Sequence, residues 1–120
     1  MRQLASFEPD AASVARARRF IEMALMVAGC TVTTVETAAL LVSELATNAV
    51  LHAQTPFSVE LCAVDDDVAV EVSDLGLGQP VIRESSTVGG NGLRLLEALA
   101  TDWGVRPQRQ GKTVFFRLPC

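Results

Sequence analysis

The spacing of apolar residues changes partway along the chain, and this change limits the folds available to it. In residues 11–28, and again from residue 33 to about 52, apolar side chains recur every three or four positions, which is the period of an amphipathic α-helix. The runs 57–64 and 68–73 are instead rich in β-branched residues, which is typical of β-strands. The chain is therefore predicted to contain both helices and a sheet.

Capping and turn residues indicate where these elements begin and end. Asp10 is placed to cap the first helix and Gly29 to end it, while Thr33 and Glu36 have the spacing of a capping box for the second helix. Arg2–Phe7 is predicted to be an edge strand. A hairpin across an acidic turn, a glycine-rich loop, a short third helix and a closing hairpin are expected to follow, in residues 57–73, 74–90, 93–100 and 103–118.

This order of elements predicts an α+β fold. It is a two-layer α/β sandwich, in which a mixed, mostly antiparallel sheet is covered on one face by three helices. The long parallel alternation of strand and helix that a Rossmann fold needs is absent from the sequence. Because 120 residues supply apolar surface for about one core, residues 1–120 are expected to form a single domain.

Composition narrows the classes of ligand and the compartment. Apolar residues make up 49% of the chain, and the net charge of −4 argues against direct binding to nucleic acid. The longest apolar run is too short to span a bilayer, so no membrane association is expected. The cysteines Cys30, Cys62 and Cys120 are odd in number and widely spaced, which predicts neither a disulfide framework nor a zinc site, and favours a reducing cytoplasmic compartment.

The second predicted helix carries a polar stripe. Glu44, Asn48 and His52 follow one another at intervals of four residues, which places them on one side of an α-helix. A carboxylate, an amide oxygen and an imidazole in this arrangement suit a divalent cation and the positioning of a nucleophile. From spacing alone, a solvated helix face explains the stripe as well.

Two glycine-containing segments are candidates for a ligand site. Asp74 comes where a strand should end and is followed by Gly76 and Gly78, so its carboxylate can accept a hydrogen bond from an exocyclic amine such as that of adenine. Residues 89–93, with Gly90 and Gly92, open the third helix, where free N–H groups favour a phosphate. Each segment alone is also compatible with an ordinary turn. Neither a Walker motif nor a dinucleotide-binding fingerprint is present.

Taken in order, these segments resemble the motifs of one family. Residues 41–53 resemble the N box, residues 72–78 the G1 box and residues 90–93 the G2 box of the GHKL (Bergerat-fold) ATPases, and Gly111, Lys112 and Thr113 resemble the start of their terminal strand. Within that superfamily the chain is most similar to the small anti-sigma factor and serine-protein kinase domains of bacterial partner-switching systems. Leu75 and Leu77 stand where many relatives have proline, which leaves the liganding atoms unchanged.

The resemblance implies an ATP site with Mg²⁺. It implies that Asn48 coordinates the metal, that Glu44 is a general base or positions water, and that Asp74 receives the adenine amine. Thr113 would support Asp74 through its hydroxyl or a water, and residues 79–89 would form the lid over ATP. The other implied nucleotide contacts are His52, Gly76, Gly78, Gly90, Asn91, Gly92 and Leu93.

The resemblance also implies a function, with one alternative. The first hypothesis is an anti-sigma factor that binds a sigma factor and phosphorylates a serine or threonine of a STAS-type anti-anti-sigma partner, and that forms a homodimer as relatives do. The alternative is a module that binds ATP without transferring phosphate and controls a partner through the order of its lid.

Overall fold

The structure, a computed structural model, describes residues 2–76 and 92–120 and shows the predicted order of elements. The strands are β1 (Arg2–Phe7), β2 (Phe57–Val64), β3 (Asp67–Asp74), β4 (Asp102–Pro107) and β5 (Lys112–Pro119). The helices are α1 (Ala11–Val27), α2 (Val32–Asn48) and α3 (Gly92–Leu99), and a π-helical turn, Ala49–Ala53, extends α2. The predicted α+β sandwich with three helices is confirmed.

The five described strands form one sheet in the order β1-β2-β3-β5-β4. All of their pairings are antiparallel, so the mixed character allowed for in the prediction is not found among these strands. In β2, β3 and β5, alternate residues such as Val59, Val70 and Phe116 are fully buried against the helices. The opposite face carries more polar residues, and there Arg106 pairs with Glu71.

The helix ends follow local chemistry, with one correction at α2. The Asp10 side chain accepts from the Ser13 N–H at 3.0 Å and caps α1, and Gly29 adopts φ +82° just after that helix, both as predicted. The cap of α2 is Thr31, whose hydroxyl accepts from the Thr34 N–H at 3.2 Å. The predicted capping box beginning at Thr33 was therefore placed two residues too late.

The helical run Val32–Ala53 is long and apolar enough to cross a membrane by length and composition, with a mean hydropathy of 1.2. Half of its most apolar window is buried inside the fold, where Leu41, Val42 and Leu45 belong to the core. A core helix accounts for this composition.

Cys30 and Cys120 form a disulfide, which corrects the sequence prediction that no disulfide is present. The bond joins the turn between α1 and α2 to the end of β5, across a sequence separation of 90 residues. The backbone supports the same junction, because the Thr31 N–H donates to the Cys120 carbonyl at 3.1 Å. Spacing did not predict the bond because its two cysteines are far apart in the sequence and are neighbours only in the tertiary structure. Cys62 is free.

Candidate functional site

The end of α2 presents two of the three residues of the predicted polar stripe. Glu44 and Asn48 lie one helical turn apart and are both half-buried. His52 belongs to the π-helical turn and is exposed. The shared stripe is confirmed for Glu44 and Asn48, and for His52 it stays a prediction.

Asp74 ends β3 with its side chain nearly buried, at 8% exposure. Its Oδ1 accepts a hydrogen bond from the Gly76 N–H at 2.9 Å. The next residue, Leu75, donates its backbone N–H to the Thr55 hydroxyl at 3.0 Å, just beyond the π-helical turn. The backbone that follows Asp74 is therefore tied to Thr55, just past the π-helical turn that extends α2.

Two glycines allow the segments to approach this closely. A Cβ added to Gly76 would lie 2.7 Å from the Cβ of Ala53, in the π-helical turn. A Cβ added to Gly111 would lie 1.8 Å from the carbonyl oxygen of Asp74, and Gly111 also has φ +92°. Gly111 therefore lets the start of β5 pass directly over the Asp74–Leu75 backbone, where no side chain fits.

Lys112 is a site residue that the sequence reasoning did not assign. Its Nζ lies 3.1 Å from Oδ1 and 3.0 Å from Oδ2 of Asp74, and its side chain is 16% exposed. The two residues are direct cross-strand partners. The alternation of side chains along a strand could have predicted this contact. In β5 the core residues Val114 and Phe116 share their face with Lys112, and in β3 Val72 shares its face with Asp74.

The same alternation corrects the support predicted for Asp74. Thr113 is buried, but it follows Lys112 by one residue and therefore projects from the other face of the sheet. Its hydroxyl lies 2.7 Å from that of Ser73 and accepts from Nε2 of Gln108 at 3.1 Å. Thr113 thus joins β3 to the closing hairpin, and Lys112 makes the contact with Asp74.

The remaining predicted contacts lie at or beyond the edge of the described residues. Gly92 begins α3, and Leu93 is 7% exposed and belongs to the hydrophobic core, so it anchors the helix start. Gly78, Gly90 and Asn91, together with the predicted lid at residues 79–89, lie outside the described residues.

The described groups have the chemistry that a nucleotide requires. Asp74 offers a nearly buried carboxylate next to an ammonium, and Asn48 and Glu44 offer oxygen atoms from the adjoining helix end. Within residues 2–76 and 92–120, no three His, Cys, Asp or Glu side chains gather as a metal site. The predicted Mg²⁺ therefore depends on Asn48 together with phosphate and water oxygens, a ligand set that Mg²⁺ commonly takes.

Comparison with known proteins agrees with the fold and the motifs. The family model described as "Histidine kinase-like ATPase domain" matches residues 7–118. The crystal structure of the RsbU and RsbW domains of Rv1364c from Mycobacterium tuberculosis matches with a TM-score of 0.78 at 17% sequence identity. That match covers 99% of this chain and 32% of the other, so the chain spans about a third of that protein's length. No curated protein matches significantly. Since the family model covers almost all of the sequence, the chain belongs to the histidine kinase-like ATPase domain family, the GHKL family whose motifs it carries.

Proposed function

We propose that the chain is an ATP-binding anti-sigma factor that phosphorylates a serine or threonine of a STAS-type anti-anti-sigma protein. One observation carries the proposal: three sequence-distant segments meet at one end of the sheet. These are the segment that follows α2, with Ala53 and Thr55, the Asp74–Gly76 turn, and the Gly111–Lys112 start of β5. Glu44 and Asn48 lie in the last turns of α2, just before the first of these segments. The neighbour's RsbW domain, a fold match only, is consistent with a role in partner switching.

Each segment contributes one part of ATP binding. Asp74 accepts a hydrogen bond from the exocyclic amine of adenine, because its carboxylate is nearly buried and faces the Gly76 turn. Asn48 supplies a side-chain oxygen to Mg²⁺. When bound, the ion neutralises charge on the phosphates. The start of α3 at Gly92 provides backbone N–H groups for the phosphates.

Glu44 performs the proton transfer in the proposed kinase reaction. The hydroxyl oxygen of the partner's serine forms a bond to the γ-phosphorus, the bond from that phosphorus to the β,γ-bridging oxygen breaks, and ADP leaves with the electron pair. Glu44, one turn before Asn48 on α2, accepts the hydroxyl proton. Positioning and charge neutralisation supply the rest of the rate enhancement.

The proposal includes the cellular setting. The protein acts in the cytoplasm, with a sigma factor and a STAS protein competing for it, and it works as a homodimer. This placement rests on the proposed partners, because the Cys30–Cys120 disulfide removes the argument from the cysteines. None of these partners is DNA or a membrane, in keeping with the net charge of −4.

Single-turnover transfer of labelled γ-phosphate from ATP to a panel of purified STAS proteins of the source organism tests the proposal. Wild type should label one STAS partner, and Glu44→Gln should lower the rate by at least about a hundredfold, because a general base contributes roughly that factor. Glu36→Gln is the matched control, since Glu36 is an exposed carboxylate on the same helix, and it should leave the rate unchanged. Undiminished transfer by Glu44→Gln would sink the role of Glu44.

The non-catalytic alternative makes a different prediction in the same assay. If the chain only binds ATP and gates a partner, wild type labels no STAS protein although calorimetry detects ATP. Under both hypotheses Asp74→Asn weakens ATP binding by at least about tenfold, because an amide presents one acceptor where the carboxylate presents two. Asp66→Asn, in the exposed turn at the other end of the sheet, is the control. Unchanged ATP affinity in Asp74→Asn contradicts the ATP site itself.

A further inference from the structure

The ion pair between Lys112 and Asp74 differs from every other ion pair in the described part of the chain. Its side chains are 16% and 8% exposed, whereas each other pair has at least one side chain that is 36% exposed or more. Exchanging such a buried pair for apolar residues is often neutral or stabilising. Stability alone is therefore a weak reason for charges at this position. Binding of a polar ligand is a stronger reason.

The sequence also sets Lys112 apart. It is the single lysine among ten basic residues, and the other nine are arginine. An ammonium is compact and carries three donors that rotate freely, whereas a guanidinium is a wide planar fork. The chain thus places its one compact, adjustable cation beside the carboxylate that the proposed function assigns to adenine.

Counting donors and acceptors shows what the pair can still bind. Oδ1 of Asp74 accepts from the Gly76 N–H and from Lys112, and Oδ2 accepts from Lys112. A carboxylate oxygen has two lone-pair directions and an ammonium has three N–H groups. Among the contacts of the described residues, Oδ2 therefore retains one acceptor direction and Nζ retains one N–H. The pair presents an acceptor and a donor side by side.

The base edge of adenine has the complementary pattern. Its exocyclic amine is a donor, and the neighbouring ring nitrogen N1 is an acceptor, whereas guanine has an acceptor followed by a donor at the same positions. We propose that Lys112 donates to N1 of adenine while Asp74 accepts from the exocyclic amine, so that the two side chains recognise the base edge together. This inference rests on the proposed ATP binding and adds a specificity-determining residue to it.

A nucleotide that lacks only the N1 acceptor isolates the contribution of Lys112. Calorimetry compares ATP with 1-deaza-ATP, each with Mg²⁺, on wild type and on Lys112→Met. Wild type should bind 1-deaza-ATP about tenfold more weakly than ATP, which corresponds to about 1.4 kcal/mol and suits one hydrogen bond from a charged donor. Lys112→Met should bind ATP about tenfold more weakly than wild type does, and should bind the two nucleotides equally.

Arg117→Met is the control for removing a paired cation. Arg117 contacts Asp67 at 2.8 Å, at the opposite end of β3 and β5, so this variant should keep the tenfold preference for ATP. Equal binding of ATP and 1-deaza-ATP by wild type would overturn the inference. Tighter ATP binding by Lys112→Met would also overturn it, because Lys112 would then compete with adenine for Asp74.

A measurement on the wild-type protein covers the case in which Lys112→Met does not fold. Because the chain has one lysine, ¹⁵N-lysine labelling gives a single side-chain ammonium resonance. Saturating ATP should shift this resonance and slow its proton exchange, and saturating 1-deaza-ATP should do so much less. Equal changes with both nucleotides contradict the contact between Lys112 and N1 but leave ATP binding itself intact. If neither nucleotide binds in calorimetry, the proposed function fails as well, so the two failures are distinguishable.

Discussion

The two ends of β3 and β5 are held together by different kinds of interaction. At the Asp67 and Pro119 end, which we call the disulfide end, Cys30 is bonded to Cys120 and backbone hydrogen bonds connect Cys120 with Thr31 and Asp66. At the Asp74 and Lys112 end, the site end, contact depends on a nearly buried ion pair and on glycines that admit no side chain.

The ion pairs at the two ends also differ in how deeply their side chains are buried. Arg117 reaches Asp67 and Asp65 at the disulfide end, but the Asp65 side chain is 92% exposed, and exposed pairs contribute little to stability. Asp74 at the site end is nearly buried and still has capacity for a ligand. The comparison indicates that one end fixes the fold covalently, while the other holds nearly buried polar groups where the proposed nucleotide would bind.

Filling the space at Gly111 should have the largest effect on stability. We expect Gly111→Ala to lower the free energy of unfolding by at least about 4 kcal/mol, because the new Cβ would lie 1.8 Å from a backbone oxygen and φ is +92°. Urea denaturation measures the loss. Gly29→Ala is the matched control: its φ is +82°, but nothing lies within 4 Å of the added Cβ, so only the cost of the backbone conformation remains, about 1–2 kcal/mol. Equal losses would contradict the close approach.

Breaking the disulfide should have the next largest effect. We expect the Cys30→Ser, Cys120→Ser double variant to lose about 2–4 kcal/mol of unfolding free energy in oxidising buffer, which is the typical contribution of a disulfide. Reductant should destabilise wild type by a similar amount and leave the double variant unchanged.

Cys62→Ser, at the free cysteine, should respond to reductant as wild type does. ATP affinity should change less than about twofold in the double variant, because the bond lies at the far end of the sheet. If the double variant is as stable as wild type, the disulfide does not stabilise its end of the sheet, and the proposed difference between the two ends is wrong.

Local patterns predicted the elements well because they act within a few residues. The Asp10 cap, Gly29 and the two hairpins follow from neighbours along the chain, and the structure has them where they were expected. The disulfide was missed because sequence spacing carries no information about two cysteines that tertiary structure brings together. The π-helical form of the turn that carries His52 was not predicted, because a π turn has no strong sequence pattern.

The sequence placed Asp74 and its turn correctly in the fold but chose the wrong supporting partner for Asp74, and the ligand contacts of the site stay predictions. Asp74 and its glycine turn were recognisable from their motif, and Asn48 and Glu44 from their spacing on α2. Lys112 was passed over in favour of Thr113 because the hydroxyl matched the expected support, although strand alternation puts Lys112 on the face of Asp74. A register prediction for β3 and β5 would have found it.

The smallest expected effect tests the start of α2, at the disulfide end. Thr31→Ala should lower the free energy of unfolding by about 1 kcal/mol, because the Thr31 hydroxyl that accepts from the Thr34 N–H is then lost. Thr33→Ala is the control, since Thr33 is exposed within the first turn and should change stability by less than about 0.5 kcal/mol. The reverse ranking in urea denaturation would restore the capping box at Thr33. Cys30 directly precedes the cap, so the disulfide and the cap hold the same turn. When the disulfide is reduced, the cap alone holds that turn, and the loss in Thr31→Ala should therefore grow.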